Sequence, residues 1–136
     1  MQVIPTRIHG MMDYFVGALL AVAPWLLGFD DHSAVTWVPV VLGASVILYS
    51  LFTDYELGLV RRIPMPTHLA LDLGGGVLLA LSPWLFGFAD RVWPPHVIIG
   101  LVEIGTVLMS RRIPSDGRRT HVGTTGGARR ARVSHG

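Results

Sequence analysis

Ala23-Pro24-Trp25-Leu26-Leu27-Gly28-Phe29 recurs as Ser82-Pro83-Trp84-Leu85-Phe86-Gly87-Phe88, 59 residues further along the chain. The match extends toward the N-terminus: between residues 4–29 and 63–88, thirteen of 26 aligned positions are identical. Each copy lies in an apolar stretch and is followed by another, so the chain reads as two tandem units of paired helices. A helix needs about 20 mostly apolar residues to cross the hydrocarbon of a bilayer, and residues 11–29, 35–53, 69–89 and 93–110 each have that length. The expected fold is therefore all-α, an integral membrane bundle of four transmembrane helices built as two tandem two-helix repeats. Residues 1–112 form the two-repeat transmembrane domain (units about 4–56 and 63–112), and residues 113–136 read as a disordered, Arg-rich cytoplasmic tail.

Composition supports this reading. Mean hydropathy is +0.51 and charged residues make up 15% of the chain, against roughly 25% in a soluble domain. A soluble bundle would need wide polar outer faces on its helices, which these segments lack. The first apolar run is longer than the core of a cleaved signal peptide, and its Pro-Trp end recurs internally. There is no cysteine, which excludes disulfides, thiolate chemistry and Cys-ligated metal.

Charge sets the orientation. Arg7, Arg61, Arg62, Arg111, Arg112 and the five tail arginines fall on one side of the four stretches, and Arg91 alone falls on the other, with Asp30, Asp31 and Asp90. By the positive-inside rule both termini are cytoplasmic in a multi-pass cell-membrane protein. The two units then share one orientation and are related by an axis along the membrane normal. Trp25, Trp37, Trp84 and Trp93 fall at the outer interface, where indole rings prefer to sit.

The Pro-Trp-Leu-x-Gly-Phe element, present twice in the first helix of a pair, resembles that of the SPW-repeat family of small integral membrane proteins. Ser82-Pro83-Trp84 carries the signature as written, whereas Ala23 replaces the serine in the first copy; Thr53-Asp54-Tyr55-Glu56-Leu57-Gly58 is also similar to the family's linker. The resemblance covers about residues 4–112. It implies a membrane-embedded two-unit fold and brings no activity, cofactor or catalytic residue with it.

Three constellations could carry chemistry. His9/Asp13 and His68/Asp72 are equivalent pairs at helical i, i+4 spacing. Each continues into Gly17/Ala21 or Gly76/Ala80, a small-xxx-small pattern that lets helices approach closely. The retained positions share one arc, which should face protein. Functionally the pairs read as a proton relay or a weak metal site near the cytoplasmic interface. Structurally they read as fixing helix entry, with Asp in the first turn complementing the helix dipole. Two ligands per helix fall short of a closed tetrahedral site unless both units contribute, so no metal is expected. Glu103 lies at the middle of the fourth stretch, in a stripe with His96, Thr106 and Ser110 beside Gly100. An acid there must face the bundle, pair or be protonated, either as a proton or ion site or as a structural lock. Its counterpart in the first unit lies near the apolar Val46. Pro24 and Pro83 withdraw the hydrogen bond from the carbonyls of Leu20 and Leu79. Each Pro-Trp element then reads as a structural corner, with Trp25 and Trp84 as anchors and Gly28 and Gly87 permitting the turn. Gly74-Gly75-Gly76 lacks the following Lys-Ser/Thr of a phosphate loop.

The Glu103 site carries no nucleophile, no second acid at defined spacing and no phosphate-binding loop, so no enzyme activity and no cofactor are expected. The leading expectation is a non-enzymatic scaffold or accessory membrane subunit. The alternative is a small proton- or cation-coupled transporter or channel-like protein using Glu103 with His68 and Asp72. The expected surroundings are the lipid bilayer, anionic lipid at the Arg-rich tail, and either a homo-oligomer or an unidentified membrane protein partner; no nucleic-acid partner is expected.

Overall fold

The computed structural model describes residues 2–113; the tail expected over 113–136 lies outside the described residues apart from Ile113. Four helices follow in order: α1 (Thr6–Leu26), α2 (Ala34–Leu51), α3 (Met65–Leu85) and α4 (Pro94–Met109). Among the described residues there is no strand, only two isolated parallel bridges. α1 and α3 each follow a proline, Pro5 or Pro64, held in extended backbone. Prolines also occupy the first turns of α3 and α4, where a missing N–H costs nothing.

α1 packs on α2, α3 packs on α4, and α2 meets α3. Each hairpin crosses at a glycine pair. A Cβ on Gly43 would stand 2.4 Å from the Gly17 carbonyl oxygen, and one on Gly100 would stand 2.6 Å from that of Gly76. The small-xxx-small positions thus face Gly43 in the first unit and Gly100 in the second. Most of the retained arc faces protein: positions 9, 13, 17, 20 and 24 are buried in α1, and 68, 72, 76, 79 and 83 in α3, while Ala21 and Ala80 are half-buried and Gly28 and Gly87 are exposed at the turns.

The repeat element forms the same helix end twice. α1 and α3 run two residues past Pro24 and Pro83, and then Gly28 and Gly87 turn the chain at φ +69°, a backbone region that penalises side chains with a Cβ. The N–H of Phe29 reaches back to the Pro24 carbonyl at 2.8 Å, and that of Phe88 to the Pro83 carbonyl at 2.7 Å. This is the six-to-one bond of a Schellman end, so the corner closes just beyond the proline. In the second copy the Ser82 hydroxyl donates to the Leu79 carbonyl at 2.7 Å, the group that Pro83 leaves without its helical donor.

The chain closes on itself. Ile63 bridges Thr53, joining the segment before α3 to the end of α2, and Ile4 bridges Ser110, joining the segment before α1 to the end of α4. At both places two backbone bonds of 2.8–2.9 Å seal the join: Ile63 N–H to Phe52 O and Asp54 N–H to Ile63 O, and Ile4 N–H to Met109 O and Arg111 N–H to Ile4 O. At the opposite end Arg91 pairs with Asp31 across the two turns.

Two of the four helices, α2 and α3, are long and apolar enough to cross a membrane. α4 is apolar but only 16 residues long, and α1 carries Arg7, His9 and Asp13 in its first half. The helices also begin earlier than expected, α1 at Thr6 and α3 at Met65. Apolarity locates hydrocarbon-compatible sequence, whereas the backbone starts its helix at the preceding proline. As a result Asp13 and Asp72 lie two turns in, no acid occupies either first turn, and the expected complement to the helix dipole is not made. Large apolar side chains point outward, including Phe15, Leu48, Leu101 and Leu108, while the polar side chains His9, Asp13, Thr36, His68 and Asp72 are buried.

Two outcomes follow. Ser82→Ala strands a buried carbonyl and should lower stability by about 1–3 kcal/mol, measured by thermal or denaturant unfolding in detergent; an unchanged midpoint would contradict the role given to the hydroxyl. The Ser33 side-chain hydroxyl, then its N–H, and then Arg91 hold the Asp31 carboxyl at about 2, below its ordinary 3.8. A depressed carboxylate contributes above its unfolded value and loses that contribution as pH falls through the folded value. Asp31 should therefore titrate near 2 by NMR, and Ser33→Ala should raise the midpoint.

Candidate functional site

α1 and α3 bring the two His/Asp pairs together at the interface between units, one helical turn inside the closing bridges. His9 Nε2 lies 2.9 Å from Asp72 Oδ2 and 3.3 Å from Asp13 Oδ1. His68 Nε2 lies 2.9 Å from Asp13 Oδ2 and 3.1 Å from Asp72 Oδ2. Each imidazole nitrogen therefore sits between both carboxylates, with its shorter contact to the other unit's acid. The rings meet edge to face with centroids 5.4 Å apart, and all four side chains are at most 2% exposed. The i, i+4 spacing positions each pair on its helix, and the pseudo-twofold relation places the pairs face to face.

A shell of hydroxyls surrounds the four. Thr53 Oγ1 lies 2.8 Å from His68 Nδ1, and Ser110 Oγ lies 2.8 Å from His9 Nδ1. Thr53 and Ser110 end α2 and α4 at equivalent places, next to the two closing bridges. Each also bonds the carbonyl one turn back in its own helix, Thr53 to Tyr49 O at 2.7 Å and Ser110 to Thr106 O at 2.6 Å. A hydroxyl has one proton. With that proton given to the helix carbonyl, the oxygen can only accept from the imidazole, so Nδ1 of both histidines carries the hydrogen. The Tyr49 hydroxyl donates to Asp72 Oδ1 at 2.5 Å, and the Ser50 hydroxyl points to Asp13 Oδ2 at 3.4 Å.

Glu103 does not join the quartet. Its side chain is buried against Gly76, where an added Cβ would lie 3.1 Å from Glu103 Cβ, and its Oε1 has no hydrogen-bond partner. Glu103 and Asp72 line one tight cleft at the centre of the bundle, with Leu20, Val46 and Leu79, whose free space is only about 10 Å³. Beyond this cleft, Leu20, Ala23, Pro39 and Leu79 close the interior, and His96 lies past them between Phe29 and Phe88. The His96 ring reaches the Val35 carbonyl, 3.3 Å from Nε2. On the quartet side, a crevice of about 320 Å³ between α3 and α4 is lined by Gln2, Leu69, Ser110 and Arg112. The expected stripe of His96, Glu103, Thr106 and Ser110 is buried along α4, but its members serve separate neighbours.

The repeat departs from symmetry where the linker crosses it. Tyr55 is fully buried over α1, and a Cβ on Gly10 would stand 2.0 Å from its ring. The equivalent of Gly10 is Leu69, which packs with Tyr55 and Met65. Glu56 accepts from the Thr6 hydroxyl at 2.9 and 2.7 Å.

The SPW repeat domain family matches residues 7–110, a span that takes in both His/Asp pairs and both proline corners. The chain belongs to the SPW repeat family. No curated protein and no solved structure matches it. Membership fits the doubled corner and the inward-facing arc, and it assigns no activity to the quartet of this SPW protein.

Removing one charge from a buried paired set costs about 3–5 kcal/mol. Asp13→Asn and Asp72→Asn should each destabilise the detergent-solubilised protein on that scale. The double variant should lose less than the sum, because both acids share the same two imidazoles. Simple additivity in unfolding measurements would show that the acids act separately.

Proposed function

We propose that this SPW protein is a four-span, multi-pass membrane protein with both ends on the cytoplasmic side, and that it is a non-enzymatic carrier of protons or other cations. The observation that carries the reading is the crossed His/Asp quartet, four ionisable side chains buried at the interface of two apolar-faced helix pairs. Ionisable groups within membrane spans are costly and mark ion pathways by default. The outward apolar surface with a polar interior supports bilayer embedding, the clustering of arginine supports the orientation, and bilayer thinning at short spans accommodates α4.

Along the bundle axis the crevice at Ser110, the quartet and Glu103 form a graded series from the cytoplasmic end. Leu20 and Leu79 then interrupt it with an apolar plug short of His96. This arrangement suits a site loaded from the cytoplasm with a closed outer gate. A second reading, a scaffold or accessory subunit, is favoured by one observation: Gly74 and Gly105 have nothing within 4 Å of where a Cβ would stand, which leaves room for a neighbouring helix to approach closely. It predicts a reproducible co-purifying membrane partner.

The deciding measurement is proton and cation flux in liposomes. The wild-type chain should conduct, Glu103→Gln should abolish flux while leaving the helical fold intact, and Leu79→Ala should raise flux by shrinking the plug. No flux above empty liposomes from folded protein would overturn the carrier reading.

A further inference from the structure

We infer that the quartet is a mononuclear site for one divalent first-row transition-metal ion, best fitted by Zn²⁺, with His9 Nε2, His68 Nε2 and one oxygen each from Asp13 and Asp72 as ligands. This deepens the reading above and rests on the quartet being a cation site, but it concerns equilibrium binding and stands apart from transport.

The ligand geometry is close to what such an ion needs. The four candidate atoms lie within 4.8 Å of one another. A tetrahedral ion with ligand distances of about 2.0–2.1 Å has ligand–ligand edges of roughly 3.3–3.4 Å. With Asp13 Oδ2 and Asp72 Oδ2 as the two oxygens, three His–Asp edges measure 2.9, 2.9 and 3.1 Å, and His9 meets the other Asp13 oxygen at 3.3 Å, so these edges must widen by a few tenths of an ångström and the Asp13 carboxylate must turn toward His9. Both units contribute one His and one Asp, which supplies the full set of four that neither helix holds alone.

The hydrogen bonds point the same way. Thr53 and Ser110 give their single protons to helix carbonyls and accept from Nδ1. With Nδ1 committed to a hydroxyl, Nε2 is the nitrogen each ring turns into the quartet, 2.9 Å from a carboxylate oxygen of the other unit. An imidazole nitrogen and a carboxylate oxygen this close need positive charge between them, and a divalent ion can take the place of the two Nε2 protons. Metal-bound histidines are held in this manner, with the second ring nitrogen donating to a fixed acceptor. The Tyr49 hydroxyl similarly orients Asp72. Two carboxylates balance one divalent ion, which leaves the filled site neutral. Imidazole and carboxylate without thiolate favour Zn²⁺ and its neighbours over Cu(I).

The test uses the full chain, purified in detergent and freed of metal, titrated with Zn²⁺ by calorimetry and with Co²⁺ by visible absorption. The expected result is one ion per chain with the intense visible bands of tetrahedral Co²⁺, and loss of that binding in His68→Gln and Asp72→Asn. Ser110→Ala and Thr53→Val should keep the stoichiometry and weaken affinity by about 10–100-fold. X-ray absorption on the wild-type Zn²⁺ complex removes any dependence on variants that fail to fold; it should report two imidazoles and two oxygens at about 2.0–2.2 Å. An octahedral or all-oxygen shell would overturn the inference. So would no binding by folded wild-type protein, the result expected if each imidazole holds a second proton in place of the metal, or binding unchanged in His68→Gln, which assigns the ion to other histidines. Metal binding without flux would uphold this site and remove the carrier reading; flux without metal binding would do the reverse.

Discussion

Two carboxylates buried in an apolar bundle must be balanced, and each unit here is balanced by the histidine of the other. Asp13 makes its shortest imidazole contact with His68, and Asp72 with His9. This crossed pairing makes the two helical hairpins one structure, because neither hairpin can satisfy its own acid as well alone. The Thr53 and Ser110 hydroxyls, the Tyr49 phenol and the closing bridges are arranged around that requirement. The glycine crossings bring the helices of each hairpin close and leave the polar contacts at one end of the bundle.

The symmetry is kept where the quartet needs it and abandoned elsewhere. Thr53 and Ser110 are equivalent, as are Ile4 and Ile63, and both pairs hold the quartet end together. Val46 and Glu103 are equivalent in position and opposite in chemistry. One half of the central cleft is therefore apolar, and the other presents a carboxyl oxygen without a partner. Tyr55 has no counterpart after α4, which accounts for Gly10 standing where the second unit has Leu69: the tyrosine ring occupies the space that the leucine side chain fills in the other copy.

Much of this was legible in the repeat. Thirteen shared positions of 26 identified the pairs of helices, and the arc through positions 9, 13 and 17 identified the buried face. The glycines at 28 and 87 marked the turns. What could not be read was the contact between units, since i, i+4 spacing places His9 beside Asp13 and says nothing of Asp72. The hydroxyls of Thr53 and Ser110 were also missed as partners of the histidines. Their matched positions at the ends of the second helices were a usable signal, but only together with the Ile4 and Ile63 segments that hold them in place. Helix starts were misplaced because hydropathy follows side chains, whereas Pro5 and Pro64 set the backbone. The short α4 shows the same limit, since an apolar stretch can include turn residues such as Trp93.

The bridge between Ile4 and Ser110 copies the one between Ile63 and Thr53. One of these joins is made within a continuous linker and the other between distant parts of the chain, yet the backbone bonds are the same. At these two joins the seal does not depend on covalent continuity. Two copies of a single hairpin bearing His, Asp and a helix-ending hydroxyl therefore hold every side chain of the centre, whereas a cut in the 54–62 linker would also free Tyr55 and Glu56 from α1.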